Sequence, residues 1–222
     1  MSDTQHDTPE TSCFLRAFSM AWTKTLDDYC GRTLNGEHSL QASLYHHLRG
    51  CLPSGFRVFC EAVVYFGPNM ARDAGKDKAV VDLLVEHECK VIGAIEIKFT
   101  PRGRPADEDI YKDLISLSTL TSRRAYADRV LIEMPRFRSA SNESLTLSIL
   151  PQRKLIFAAY CTDETRSLDK ESFWSAPRLP IVGYWAGRTK FPPNFGVALA
   201  KTTLEPSAKP VFFGPPFERL GL

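Results

Sequence analysis

The chain has 222 residues, of which 43% are hydrophobic and 24% are charged, a composition typical of a globular protein rather than a fibrous or disordered one. Its formal net charge of +2 means that any basic surface for nucleic acid must come from local clustering. Six scattered cysteines without a C-x-x-C pair argue against a zinc ribbon and against a dense disulfide framework.

The N-terminal third of the chain predicts a short tail followed by two helices. Residues 1–12 are polar and acidic, unlike a signal peptide, and predict a disordered tail. No apolar stretch is long enough to span a bilayer, so we expect a cytoplasmic protein without a membrane partner. An apolar stripe predicts a helix from Thr11 or Ser12 to about Tyr29. A second helix is expected from Asn35, a residue type that caps helices, to about Arg49.

The middle of the chain alternates between strand and helix patterns. Residues 56–66, 79–86 and 91–100 are rich in aromatic and β-branched side chains and predict three strands. The acidic residues 107–109 suit the first turn of a helix, and 128–134 predict another strand. This order predicts an α/β (α+β) domain with a central mixed β-sheet flanked by helices.

The C-terminal half predicts less regular structure. Residues 145–150 and 154–160 could form a hairpin, 169–174 a short helix and 181–185 a short strand. Prolines recur from residue 191 onward and predict loops or an arm packed on the body. The expected organisation is a tail over 1–12, one domain over 13–190 with its core at about 35–134, and a proline-rich arm over 191–222.

Three charged residues interrupt the apolar strands of the middle region: Asp82 in one strand, and Glu96 and Lys98 in the next. Buried carboxylates cost free energy unless something binds them. Asp82 and Glu96 are symmetric about Cys89, so a tight hairpin would place them opposite each other, and period-2 alternation would put Lys98 on the same face. Mg²⁺ would relieve their repulsion. The alternative is a structural ion-pair cluster on a solvated sheet face.

Two further acids are candidates for this cluster. Glu37 and Gln41 share a helical stripe with two leucines that should face the sheet, which would carry both polar groups toward it. Glu37 could instead only complement the helix dipole. Glu61 lies inside its strand, where a paired or edge-exposed position is the stronger alternative to a metal role.

These residues resemble the motif of the PD-(D/E)XK nuclease superfamily. The matching elements are the helical acid Glu37, the aspartate Asp82 and the run Glu96-Ile97-Lys98, while Val81 stands where the family name has proline. The resemblance covers about 35–134. It implies a restriction-endonuclease-like αβββαβ core with a C-terminal extension.

The resemblance also implies a role for each matched residue. Asp82 and Glu96 would hold Mg²⁺, with the Ile97 carbonyl as a further ligand and Mn²⁺ able to substitute. Lys98 would orient or help to deprotonate the attacking water, and Glu37 would be an outer ligand. Gln41 is expected to be a supporting polar group.

The function implied is a Mg²⁺-dependent nuclease that hydrolyses phosphodiester bonds of nucleic acid, with DNA as the expected substrate and a homodimer as one arrangement for cutting both strands. The basic residues Arg102, Arg104 and Lys112 are the expected phosphate contacts. One alternative is a catalytically silent module on the same fold that binds nucleic acid or a protein partner. Another is a subunit of a larger assembly that docks through its proline-rich tail.

Overall fold

The protein forms a seven-stranded mixed sheet with helices on both faces in the residues that the computed structural model describes, namely 7–65, 78–101, 103, 105–118, 120, 129–133, 144–162, 192–202 and 208–222. The predicted α/β class is confirmed. The helices are α1 (Pro9–Cys30), α2 (Glu37–Cys51), α3 (Asp107–Ser118) and α4 (Pro215–Glu218). The strands are β1 (Phe56–Tyr65), β2 (Lys78–His87), β3 (Lys90–Thr100), β4 (Arg129–Glu133), β5 (Ser144–Thr162), β6 (Phe195–Thr202) and β7 (Ala208–Phe213).

The first helix begins earlier than its apolar stripe predicts. Thr8 is the N-cap, and its hydroxyl accepts a hydrogen bond from the Thr11 backbone N–H at 3.3 Å. Pro9 follows in the first turn, where a missing N–H costs nothing. Residues 9–12 are therefore helical, whereas the sequence predicted a disordered tail that reached residue 12.

Strand β5 corrects the predicted hairpin over residues 145–160. Its first residues pair antiparallel with β4, from Ser144 to Ser148. It pairs parallel with β3 on one side from Ser148 onward, with a register shift before Lys154, and on the other side β6 replaces β4 as its partner from Leu155 onward. The polar stretch around Pro151 therefore marks a change of partner and not a reversal of direction. The helix predicted at 169–174 and the strand predicted at 181–185 lie outside the described residues.

The expected C-terminal arm instead supplies two strands of the sheet. Strand β6 lies parallel to β5, and β7 returns antiparallel to β6. Pro210 is tolerated within β7 because this strand is the last in the sheet order and has one paired edge. Pro215 occupies the first turn of α4. Pro210 and Pro215, which the sequence analysis assigned to an arm, are thus accommodated in an edge strand and at the start of a helix.

The sheet positions β3 between antiparallel and parallel neighbours. Strands β1, β2 and β3 form an antiparallel meander, and β3 then pairs parallel with β5. Helices α1 and α2 pack on one face with Ile95 and Ile97, while α3 packs on the other face with Leu84 and Ala94. No helix in the described part of the chain is long and apolar enough to cross a membrane.

Candidate active site

The hairpin between β2 and β3 sets the register of the predicted acidic cluster. Glu88 and Cys89 form its two-residue turn, with φ of 51° and 60°, and His87 pairs with Lys90. This turn alone would place Ile95 across from Asp82. The register shifts by one residue at Ile92, so that Leu83 pairs with Ile95 and Asp82 comes level with Glu96.

Strands β2 and β3 separate just beyond the Leu83–Ile95 pair, and we call this opening the fork. Past this point β2 remains paired with β1 as far as Lys78, and β3 remains paired with β5 as far as Thr100. The edge of β3 that faced β2 therefore continues without its strand partner. Its backbone polar groups need other partners because a buried, unpaired N–H costs free energy.

Side chains take the place of the missing strand at the fork. The Ile97 backbone N–H donates to Asp82 Oδ2 at 2.7 Å, and the Phe99 N–H donates to Glu37 Oε2 at 3.3 Å. Gln41 Nε2 donates to the Asp82 carbonyl oxygen at 2.9 Å. The Ile97 carbonyl points to the same side of β3 as its N–H, because a strand residue presents both groups to one neighbour. Helix α2 thus contributes both of its predicted polar residues to the fork.

Asp82 and Glu96 form a buried carboxyl pair whose ionisation costs free energy. Glu96 is only 4% exposed, and its Oε1 has no hydrogen-bond partner among the described residues. Burial raises the pKa of Glu96 well above its ordinary range, and the nearby charges of Asp82 and Asp113 raise it further. Burial also raises the pKa of Asp82, although the Ile97 N–H opposes this. The pair therefore favours a bound proton or a bound cation.

Lys98 lies beside this pair and is held by carboxylates from both faces of the sheet. Its Nζ lies 3.2 Å from Asp113 Oδ2 on α3 and 3.7 Å from Glu37 Oε1 on α2. Burial acts to lower the pKa of Lys98, but the charges of Asp113 and Glu37 outweigh burial and raise it. Lys98 is therefore an ammonium at neutral pH.

Asp113 belongs to the site and was not a candidate in the sequence analysis. It is buried on α3, and burial raises its pKa to about 7 against the opposing effect of Lys98. The sequence did carry a signal for it. Asp113 is an acid within the apolar stripe formed by Ile110, Leu114 and Leu117, a position where a charge needs a partner.

The remaining predicted residues are not brought into this cluster. Lys112 is exposed on α3 and pairs with Asp109, its Nζ lying 3.7 Å from Oδ1. Glu61 lies in β1 with an exposed side chain and a left-handed φ of 48°. Arg102 and Arg104 lie outside the described residues.

Comparison of the chain with known proteins finds no relative: no family model, no curated protein and no solved structure matches it. Among the described residues, no three His, Cys, Asp or Glu side chains form a cluster that could hold a metal ion. The polar groups available to a cation at the fork are thus the Asp82–Glu96 pair and the adjacent Ile97 carbonyl.

Proposed function

We propose that this protein is a metal-dependent nuclease that hydrolyses phosphodiester bonds, with DNA as its substrate and the fork as its active site. The observation that carries the proposal is the buried Asp82–Glu96 pair next to the Lys98 ammonium, in which Glu96 Oε1 has no hydrogen-bond partner among the residues that the structure describes. A bare carboxyl pair in this setting is destabilising, and a cation is the partner that would neutralise it.

The residues at the fork suit a hard divalent cation. Mg²⁺ is commonly bound by one or two carboxylates, and it keeps other positions for water and substrate phosphate oxygens. Asp82, Glu96 and the Ile97 carbonyl would hold Mg²⁺ or Mn²⁺. When bound, such a cation lowers the pKa of a coordinated water and stabilises charge on phosphoryl oxygens.

Lys98 would contribute positive charge to the same reaction. Asp113 and Glu37 keep the Lys98 side chain protonated. An ammonium donates hydrogen bonds, for example to a phosphate oxygen, but has no lone pair of electrons with which to accept a proton. Negative charge that develops on the phosphoryl group would be stabilised by this fixed cation. We therefore assign Lys98 to charge stabilisation and to orientation of the substrate or of the attacking water.

Basic residues that follow β3 in the sequence would bind the rest of the substrate. Arg102 and Arg104 follow the end of β3 directly in the chain, and we keep them as the expected phosphate contacts. We expect Lys112 to contribute less to phosphate binding, because it forms an ion pair with Asp109 on the exposed side of α3.

The test combines metal binding with cleavage. Mg²⁺ and Mn²⁺ are titrated calorimetrically into the wild type, Asp82→Asn, Lys98→Met and the control Asp109→Asn, and plasmid and oligonucleotide cleavage is measured on the same samples. Asp82→Asn keeps an acceptor for the Ile97 N–H, so it removes the charge with little change in shape. We expect it to lose both metal binding and cleavage. Lys98→Met should keep metal binding and lose cleavage, and Asp109→Asn should keep both.

A wild-type protein that binds neither cation and cleaves neither DNA nor RNA would refute the proposal. That result, combined with salt-sensitive binding of nucleic acid, would favour a catalytically silent module.

A further inference from the structure

The ammonium of Lys98 ends a flexible side chain, so its location depends on the groups that hold it. Of its two partners, Asp113 is the nearer and the more buried. The Asp113 side chain is 10% exposed at a distance of 3.2 Å, whereas the Glu37 side chain is 45% exposed at 3.7 Å. Solvent screens the pair with Glu37 more strongly, so Asp113 exerts the larger force on the ammonium.

Helix α3 makes Asp113 a rigid anchor. The neighbouring residues Ile110, Leu114 and Leu117 are buried in the core between α3 and the sheet. Glu37, in contrast, is the first residue of α2 and its side chain reaches the fork from an exposed position. The anchored acid therefore determines where the ammonium lies.

We propose that Asp113 is a positioning residue, whose carboxylate on α3 holds the Lys98 ammonium beside the Asp82–Glu96 pair and supports catalysis through Lys98. This inference rests on the proposed function for its kinetic consequence, but the contact itself can be measured without any activity.

Loss of the Asp113 charge would release the ammonium toward the other acids that act on it, Glu37 and Asp82. A lysine paired with Asp82 would compete with a cation at the fork and would no longer face the phosphate. The nearest matched change is Asp109→Asn. It removes an acid of the same helix whose ion-pair partner is the exposed Lys112 and not Lys98.

The first experiment measures the chemical reactivity of individual lysines. The wild type, Asp113→Asn, Asp113→Glu and Asp109→Asn proteins are acetylated with trace acetic anhydride at a pH above the Asp113 pKa of about 7, where Asp113 is a carboxylate. The rate at Lys98 is read by peptide mass spectrometry against the exposed Lys24 of α1 as an internal reference, because Lys112 itself loses its partner in Asp109→Asn. We expect Lys98 to react severalfold faster in Asp113→Asn, near the wild-type rate in Asp109→Asn, and at an intermediate rate in Asp113→Glu. Thermal unfolding of each variant confirms that it is folded.

The second experiment uses the kinetics of DNA cleavage. Asp113→Asn should lower kcat about tenfold with little change in KM, since the ammonium acts on the transition state more than on substrate binding. Asp113→Glu should restore part of the loss. On a Lys98→Met background, Asp113→Asn should cause no additional loss, because the residue through which it acts is gone.

The outcomes separate this inference from the proposed function. An unchanged Lys98 reactivity in folded Asp113→Asn, or a full additional loss on the Lys98→Met background, would overturn the positioning role. If the wild type cleaves no nucleic acid while Lys98 reactivity still rises in Asp113→Asn, the proposed nuclease fails and the hold of Asp113 on Lys98 stands.

Discussion

Two clusters of buried charge lie along the parallel strands β3 and β5, and their charges are balanced differently. Lys154 on β5 is fully buried and pairs with Asp7, and Asp7 also accepts hydrogen bonds from Arg219 at 3.0 and 3.1 Å. At the fork, Glu96 is almost as buried, yet one of its oxygens has no hydrogen-bond partner in the described part of the chain.

The pKa shifts of the acids express the same difference. Burial acts to raise the pKa of Asp7, but the hydrogen bonds and charges of Lys154 and Arg219 outweigh it and lower that pKa. The pKa of Asp82 and that of Glu96 are both raised, with burial as the main cause. The Asp7 cluster thus stabilises the fold by tying both ends of the chain to β5. At the fork, the buried acids cost free energy when they ionise, and under the proposed function a bound cation would offset that cost.

Breaking the balanced cluster should have the largest effect on stability. Asp7→Asn leaves the Lys154 ammonium buried without a carboxylate, so we expect the free energy of unfolding to fall by about 3 kcal/mol. Urea denaturation, monitored by circular dichroism, measures this change. Adding Lys154→Met to Asp7→Asn should recover much of the loss, because no buried charge then remains unpaired. A wild-type midpoint in Asp7→Asn would show that the cluster contributes nothing to the fold.

The equivalent change at the fork should have the opposite sign. Glu96→Gln removes a buried acid on which burial and the charges of Asp82 and Asp113 outweigh the favourable charge of Lys98, so the metal-free protein should gain about 1 kcal/mol in its free energy of unfolding. If the proposed metal site is present, Mg²⁺ or Mn²⁺ should raise the melting temperature of the wild type and not that of Glu96→Gln. Thermal scans with EDTA and with each cation test both statements. A destabilised metal-free Glu96→Gln protein would contradict the contrast between the clusters.

The smallest expected effect is the pH dependence of stability that Asp113 contributes. Its pKa is about 7 in the folded protein, against an ordinary value of 3.8, so between these values the folded state keeps a proton that the unfolded chain releases. The stabilisation that comes from the proton on Asp113 is therefore fully present below about pH 4 and is lost as the pH rises through about 7. The raised pKa of Glu96 and that of Asp82 act in the same direction.

We expect the melting temperature of the metal-free wild type to fall as the pH rises from about 5 to about 8, and the melting temperature of Asp113→Asn to fall less steeply. The lowered pKa of Asp7 acts in the opposite sense, but its loss of stability lies at more acidic pH, outside this window. Parallel slopes for the wild type and Asp113→Asn would rule out a contribution from Asp113.

Local patterns predicted the elements that carry the site. The apolar runs of β1, β2 and β3 and the helical stripe of α2 are short-range signals, and the structure has these elements within two residues of the predicted boundaries. The hairpin over 145–160 was predicted wrongly because β5 depends on contacts with three distant strands, β3 along one edge and β4 and then β6 along the other. The prolines of the C-terminal segment likewise indicated an arm, since propensity does not distinguish a loop from an edge strand.

The sequence by itself determined that Asp82, Glu96 and Lys98 lie in buried strands and that Glu37 and Gln41 lie on the helical face toward them. The symmetry about Cys89 also predicted that Asp82 and Glu96 lie opposite each other, but only the tertiary structure decided how that register is reached. The extra residue Ile92 in β3 brings Glu96 level with Asp82, and a one-residue slip would turn Glu96 and Lys98 to the other face of the sheet. The fork and the contact from Asp113 to Lys98 depend on strand pairing and helix packing between distant segments, where no local pattern specifies the partner.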